Sequence, residues 1–179
     1  MENLNIVLLQ VDLFWENIKR NLKLFEEKIE SVNTEVDLFI LPEMFSTGFS
    51  MNAEKLAESS NGPTLKWMQR VASEKNAAIT GSIIVKEKDE YFNRLYFVYP
   101  DSTFKKYDKH HTFTLAKEHE TYSAGNERLQ VEYKGWKICP LICYDLRFPV
   151  WARNTTDYDL LIYVANWPKP RILAWDVLL

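Results

Sequence analysis

The sequence predicts a mixed α/β domain, and three observations carry that expectation. Short apolar runs rich in β-branched and aromatic residues alternate with segments of helical periodicity, prolines and turn pairs punctuate them, and no repeat period points to a solenoid. Residues 5–11 form an apolar run suited to a buried strand. Ile18, Leu22, Phe25, Ile29 and Val32 then recur at helical spacing and give an amphipathic helix. Residues 36–41 make the next run and stop at Pro42, so strand, helix and strand read as a crossover unit. Pro63 suits the first position of a helix over 64–76, with Leu65, Met68, Val71 and Ala72 as its apolar stripe, and residues 77–85 follow as a strand. Residues 91–99 and 103–107 predict a hairpin across Pro100-Asp101. Residues 129–133 and 136–142 predict another across Lys134-Gly135, and 160–165 a further strand. Residues 171–179 read as a helix just beginning.

Composition bounds the function. The chain has 179 residues, 22 Lys and Arg against 25 Asp and Glu, a formal net charge of -3 and 46% hydrophobic residues, which excludes collagen-like, disulfide-rich and disordered classes. No basic stripe favours nucleic acid. No window approaches the ~18 apolar residues of a membrane span, and the amino terminus lacks a basic leader, so a cytoplasmic protein is expected. Without a linker, 1–179 reads as one domain. Cys139 and Cys143 lie in one apolar run, and four residues along a strand span ~13 Å, too far for a disulfide. His110, His111 and His119 lack metal-ligand spacing, so no zinc is expected.

Open α/β sheets place ligands beyond the carboxyl ends of their strands, where three chemically capable residues fall: Glu43, Lys109 and Cys143. Taken singly, each has an ordinary explanation: a solvated loop glutamate, a wet basic loop, a small buried hydrophobe. Together they make an acyl-transfer set. Glu43, beside Met44 and Phe45, is desolvated enough for general-base work. Cys143 begins Cys143-Tyr144-Asp145-Leu146-Arg147-Phe148-Pro149, where a sharp strand-to-helix turn exposes the sulfur, the helix N-terminus favours thiolate, and the Tyr144 N–H faces a bound carbonyl oxygen. Lys109 joins Tyr144 in the oxyanion hole.

The words around these residues resemble those of the nitrilase, or carbon–nitrogen hydrolase, superfamily. Leu41-Pro42-Glu43-Met44-Phe45 is similar to its glutamate motif, Lys109-His110-His111-Thr112-Phe113 to its lysine motif, and the Cys143 segment to its nucleophile motif, in that order along the chain. A second family glutamate, which positions the lysine, corresponds to Glu118, with Glu120 as the competing register. Asn166-Trp167-Pro168 and Arg171-Ile172-Leu173-Ala174-Trp175 resemble the ω-amidase branch, whose members hydrolyse the terminal amide of α-keto acid amides such as 2-oxoglutaramate. The resemblance implies an α-β-β-α sandwich, a homodimer stacked through helix faces, and no metal or organic cofactor.

A carboxylate-bearing substrate requires a cation, and Arg147 and Arg171 are available, although an ion pair of Arg147 with Asp145 is the more ordinary expectation. Phe45, Phe113 and Trp167 are candidates for the pocket wall. The leading expectation is a cysteine amidohydrolase acting on a small-molecule amide, with a nitrile as the rival substrate. Family domains occupy on the order of 250 residues, so the resemblance also implies a C-terminally incomplete sandwich. A sticky fragment or interaction protein that retains the motifs is therefore the competing reading.

Overall fold

The structure is a computed structural model and describes residues 3–178. Its larger sheet has the strand order β1 (Ile6–Leu8), β2 (Leu38–Ile40), β4 (Ala78–Glu87), β5 (Glu90–Val98), β6 (Phe104–Asp108), with the two-residue β3 (Glu58–Ser59) alongside β4. The first three are parallel, whereas β5 and β6 return antiparallel as a meander. Parallel neighbours need crossovers, and these are supplied by α1 (Ile18–Glu30) and by a connection containing the short α2 (Ala53–Leu56) and the longer α3 (Pro63–Lys75). The smaller sheet pairs β7 (Val131–Tyr133) antiparallel with β8 (Trp136–Ile142), and β8 parallel with β9 (Leu160–Val164).

Burial on both faces explains the continuous apolar runs. On one face of the larger sheet, Phe39, Ile79, Ile83 and Val85 pack against Phe25 and Ile29 of α1 and Leu65, Met68 and Val71 of α3. On the other, Leu38, Ile40, Leu95 and Phe97 meet Val131, Tyr133, Ile138, Ile142, Ile162 and Val164 of the smaller sheet. The layers are thus helix, sheet, sheet. Among the described residues no helix as long as α1 or α3 accompanies the second sheet: α5 (Pro149–Ala152) and α6 (Ile172–Leu178) are short.

Local chemistry sets most boundaries. Asn17 caps α1 by accepting from the Arg20 amide at 3.1 Å. Pro63 opens α3 and Asn76, in the left-handed region at φ 49°, closes it. Lys134 and Gly135 both take positive φ, as a two-residue hairpin turn requires. The first strand is shorter than expected, three residues rather than seven, because β1 is an edge strand held by β2 alone and Leu8 turns 71% of its surface outward. Fourth-strand pairing instead runs past Val85 to Glu87, since the tight hairpin to β5 keeps the ladder closed.

This topology aims β2, β6 and β8 so that the segments following them converge. Glu43 lies three residues beyond β2, Lys109 directly follows β6 and Cys143 directly follows β8.

Candidate active site

Lys109 is buried to 1% exposure, an expensive place for an ammonium, and two equally buried carboxylates accompany it. Its Nζ donates to Glu43 Oε1 at 2.7 Å and to Glu118 Oε2 and Oε1 at 2.9 and 3.1 Å. Burial alone would lower the lysine's pKa, but Glu43, Glu118 and the nearby Cys143 outweigh it and hold the ammonium charged well above its ordinary range. Glu118 is itself pushed up by burial, with Lys109 pulling in the opposite direction. Its Oε2 also accepts the Phe113 amide at 2.5 Å. The competing register is decided by placement: Glu118 of α4 (Glu118–Thr121) reaches the lysine, whereas Glu120 is exposed and lies 3.6 Å from Lys117.

Gly125 brings the lysine's strand end into place. Its amide donates to Lys109 O at 3.0 Å, and a Cβ added there would lie 2.2 Å from Asp108 O, so only glycine allows this approach. Strand β6 is anchored further by Arg94, whose buried guanidinium grips both oxygens of Asp108 at 2.6 and 2.9 Å and also pairs with Glu87.

Cys143 stands on a sharp elbow. Its φ of 40° is strained for a residue with a Cβ, and it opens a 3-10 turn over Cys143–Arg147. Asp145, fully buried, clamps that turn. Its Oδ2 accepts the Ile142 amide at 3.0 Å and the Tyr107 hydroxyl at 2.7 Å, while Oδ1 accepts the His111 amide at 3.0 Å and lies 2.9 Å from His111 Nδ1. The sulfur faces the Glu43 carboxylate, with the Asn166 amide nearby. Burial and then Glu43 push the thiol well above its ordinary pKa, although Lys109 acts against them. This reverses the expectation of a thiolate favoured by the helix N-terminus: one 3-10 turn cannot offset desolvation beside a carboxylate, so the resting sulfur is a thiol.

Glu43, Lys109 and Cys143 line a cavity of about 240 Å³ walled by Phe49, Phe113, Tyr144, Trp167, Pro168 and Arg171. The Arg171 guanidinium sits 4.8 Å from the centre of the Phe113 ring and 5.2 Å from that of Trp167, with no acidic partner among the described residues. The Tyr144 amide belongs to the first residues of the 3-10 turn, whose N–H groups have no partner within the turn.

Two sequence candidates lie elsewhere. Phe45 is fully buried on the helix side of the larger sheet, 5.5 Å from Phe25 and 6.0 Å from Trp67 by ring centres, because left-handed Met44 at φ 46° reverses the chain's facing. Arg147 is exposed and outside the cavity; His111 and Tyr107 already occupy Asp145, so neither the pocket nor the expected ion pair holds it. Conversely, sequence reasoning missed Asn93, Phe49 and the Asn166 amide, which donates to Glu43 Oε2 at 3.2 Å. A polar pair, Asn93-Arg94, inside an apolar strand was the available signal. No group of His, Cys, Asp and Glu suited to a metal ion occurs among the described residues.

A family model described as carbon–nitrogen hydrolase matches residues 5–179. The chain belongs to the carbon–nitrogen hydrolase family. Among curated relatives, omega-amidase YafV of Escherichia coli (strain K12) is 46% identical over 179 residues, covering 100% of this chain and 69% of that protein. The 2-oxoglutaramate amidase of Bacillus subtilis (strain 168) is 34% identical, covering 96% of this chain and 68% of its own length. This carbon–nitrogen hydrolase is thus shorter than both relatives. A solved CN-hydrolase superfamily protein from Xanthomonas campestris, carrying an arsenic adduct in its active site, superposes with a TM-score of 0.96 at 43% identity, covering 100% of this chain and 71% of that one. An amidase from Nesterenkonia, with acrylamide added at its active-site cysteine, shares the fold at a TM-score of 0.84 and 16% identity, over 95% of this chain and 70% of that one. The expected nitrilase-type sandwich is therefore the fold of this chain. No helix among the described residues is long and apolar enough to cross a membrane.

Proposed function

We propose that this carbon–nitrogen hydrolase is an ω-amidase-type enzyme that cleaves the terminal carboxamide of a small α-keto acid amide and releases ammonia through a Cys143 thioester. The observation carrying this reading is the set of Glu43, Lys109 and Cys143 on one small cavity that Arg171 also lines, with Glu118 paired to Lys109. The likeness to omega-amidase YafV and 2-oxoglutaramate amidase supports the substrate class.

The chemistry follows from the protonation states. Because the resting sulfur is a thiol, Glu43 takes its proton as the sulfur attacks the amide carbon. Negative charge then develops on the carbonyl oxygen, where Lys109 Nζ and the Tyr144 N–H are the available donors. Collapse of the tetrahedral intermediate breaks the C–N bond, and the protonated Glu43 gives its proton to the departing ammonia. Water, deprotonated by Glu43, next attacks the thioester, and the sulfur leaves with the returned proton as the carboxylic acid forms. Glu118 stays paired with Lys109 and Phe113 N, holding the ammonium in place. Arg171, without an acidic partner among the described residues and set over two aromatic rings, is suited to a substrate carboxylate.

Ammonia release from 2-oxoglutaramate, from a neutral amide of similar size and from the matching nitrile tests the reading. Hydrolysis of the keto acid amide is expected, with Arg171→Met lowering kcat/KM for it by roughly 100-fold and leaving the neutral amide nearly unchanged. Ammonia from the nitrile and from no carboxamide overturns the assignment.

A further inference from the structure

We infer that Asn93 is a positioning residue that orients both glutamates of the site through one side-chain amide. This inference rests on the catalytic reading above and goes beyond it, because Asn93 itself faces neither the cavity nor a reacting atom. It lies in β5 on the same face as Leu95 and Phe97, at the end nearest Lys109. Its Nδ2 donates to Glu43 Oε1 at 2.9 Å and to Glu118 Oε1 at 3.1 Å, and its backbone carbonyl accepts the Lys109 amide at 3.0 Å. One residue therefore touches all three charged members of the site.

The geometry dictates why an amide stands here. An NH₂ group carries two hydrogens, and here each meets one carboxylate. The reversed rotamer would aim the carbonyl oxygen at two negative charges, so the orientation is forced. Asn93 is buried to 1% exposure and its Oδ1 has no hydrogen-bond partner among the described residues, so the donor end alone accounts for a polar side chain at this point. With Oε1 of Glu43 occupied by Lys109 and Asn93, its Oε2 is left with the single Asn166 amide and lone-pair capacity for the thiol proton.

A lone ammonium between two buried carboxylates leaves one excess negative charge, and the two amide hydrogens spread it without adding a titratable group. The titratable groups facing the carboxylates are each other, Lys109 after β6, Cys143 after β8 and Tyr122 after α4. Removing the amide donors favours the protonated acids, so the ionised carboxylate that receives the thiol proton is lost at a higher pH on acidification. Replacing the amide with a carboxylate adds a third negative charge and acts in the same direction more strongly.

The test compares Asn93→Leu and Asn93→Asp with the parent enzyme by two readouts across pH: kcat for the keto acid amide, and the rate of Cys143 alkylation by iodoacetamide. In alkylation the sulfur displaces iodide and its proton passes through Glu43 to solvent; Cys143→Ala supplies the background from Cys139. The expected result is an acid limb displaced upward by about one pH unit in Asn93→Leu and further in Asn93→Asp, with kcat on its pH-independent plateau lower by about tenfold through lost orientation and KM little changed. A purely packing role would lower thermal stability and leave both acid limbs in place, which overturns the proposal. If Asn93→Leu does not fold, Asn93→Asp decides alone; if neither folds, Asn93 is a structural residue and the proposal fails. Alkylation needs no amide substrate, so displaced limbs in a protein that hydrolyses no amide would sink the substrate reading and keep Asn93. Unmoved limbs in a working amidase would do the reverse.

Discussion

The charged cluster of Glu43, Lys109 and Glu118 and the sulfur of Cys143, which faces Glu43, reach their places by different means. The charged side grows from the larger sheet, where β4 and β5 pair over nine registered positions, and Lys109 Nζ, Glu43 Oε1 and both Glu118 oxygens each have more than one partner. Cys143 directly follows a strand of a three-stranded sheet, at a strained left-handed backbone position whose turn is tied by the single carboxylate of Asp145. Electrostatics explains the difference. A buried charge left half-satisfied is costly, so its neighbourhood must be redundant, whereas a neutral thiol demands only a position, which backbone geometry and one strut can supply.

The contrast predicts how each side breaks. Cys143→Ala removes the proposed nucleophile while deleting one neutral, nearly buried atom, so amide turnover should fall by on the order of 10⁴-fold or more with a nearly unchanged melting curve. Ammonia release and circular dichroism measure the two. Turnover within tenfold of the parent enzyme would dismiss Cys143 as the nucleophile. Asp145→Ala strikes the strut: the Ile142 and His111 amides and the Tyr107 hydroxyl lose their acceptor, and stability should drop by about 3 kcal/mol. Denaturant titration checks this, and a loss below a third of that value would mean the elbow is held by the sheet itself.

Gly125→Ala probes the charged side through its backbone. The new methyl must displace the Asp108 carbonyl, and with it the start of Lys109. Redundant bonds should retain the ammonium near its carboxylates, so kcat should fall only by about tenfold with little change in KM. A loss as large as that of Cys143→Ala would show that the redundancy does not protect the charged side.

The two sides also differed in how far the sequence reveals them. Glu43, Lys109 and Cys143 were legible because each follows a strand, and strands announce themselves by apolar runs. Asn93 was not, since its partners lie 50 and 25 positions away and no periodicity encodes such contacts. Phe45 misled for a local reason: in an extended chain it would share a face with Glu43, but the positive φ of Met44 breaks that alternation. Arg147 misled because the network that saturates Asp145 comes from Tyr107 and His111, distant in sequence. The layers of the fold were readable from the patterning, whereas the ends of β1 and β4 depended on which neighbour each strand finds.

The smallest expected effect separates the thiol from its charged neighbours by pH. In the unfolded chain a cysteine ionises near pH ~8.5, while folded Cys143 holds its proton well above that. Between these values the folded state binds more protons than the unfolded one, so stability falls as pH rises. Cys139, pushed up to about 11 by burial, contributes in the same direction. Lys109, raised by its carboxylates, begins to act only above the ordinary lysine range near pH ~10.4. The raised tyrosines, Tyr107 and Tyr122 among them, join in as their unfolded counterparts ionise near pH ~10, so the slope belongs mainly to the two thiols only from pH ~8 to ~9, where Cys143→Ala should remove a little under half of it, a difference of about 0.8 kcal/mol by pH ~9. Urea unfolding at a series of pH values measures the slope directly. If it is unchanged in Cys143→Ala, the folded sulfur is already a thiolate, and the elbow side carries a charge with far fewer partners than the charges opposite it.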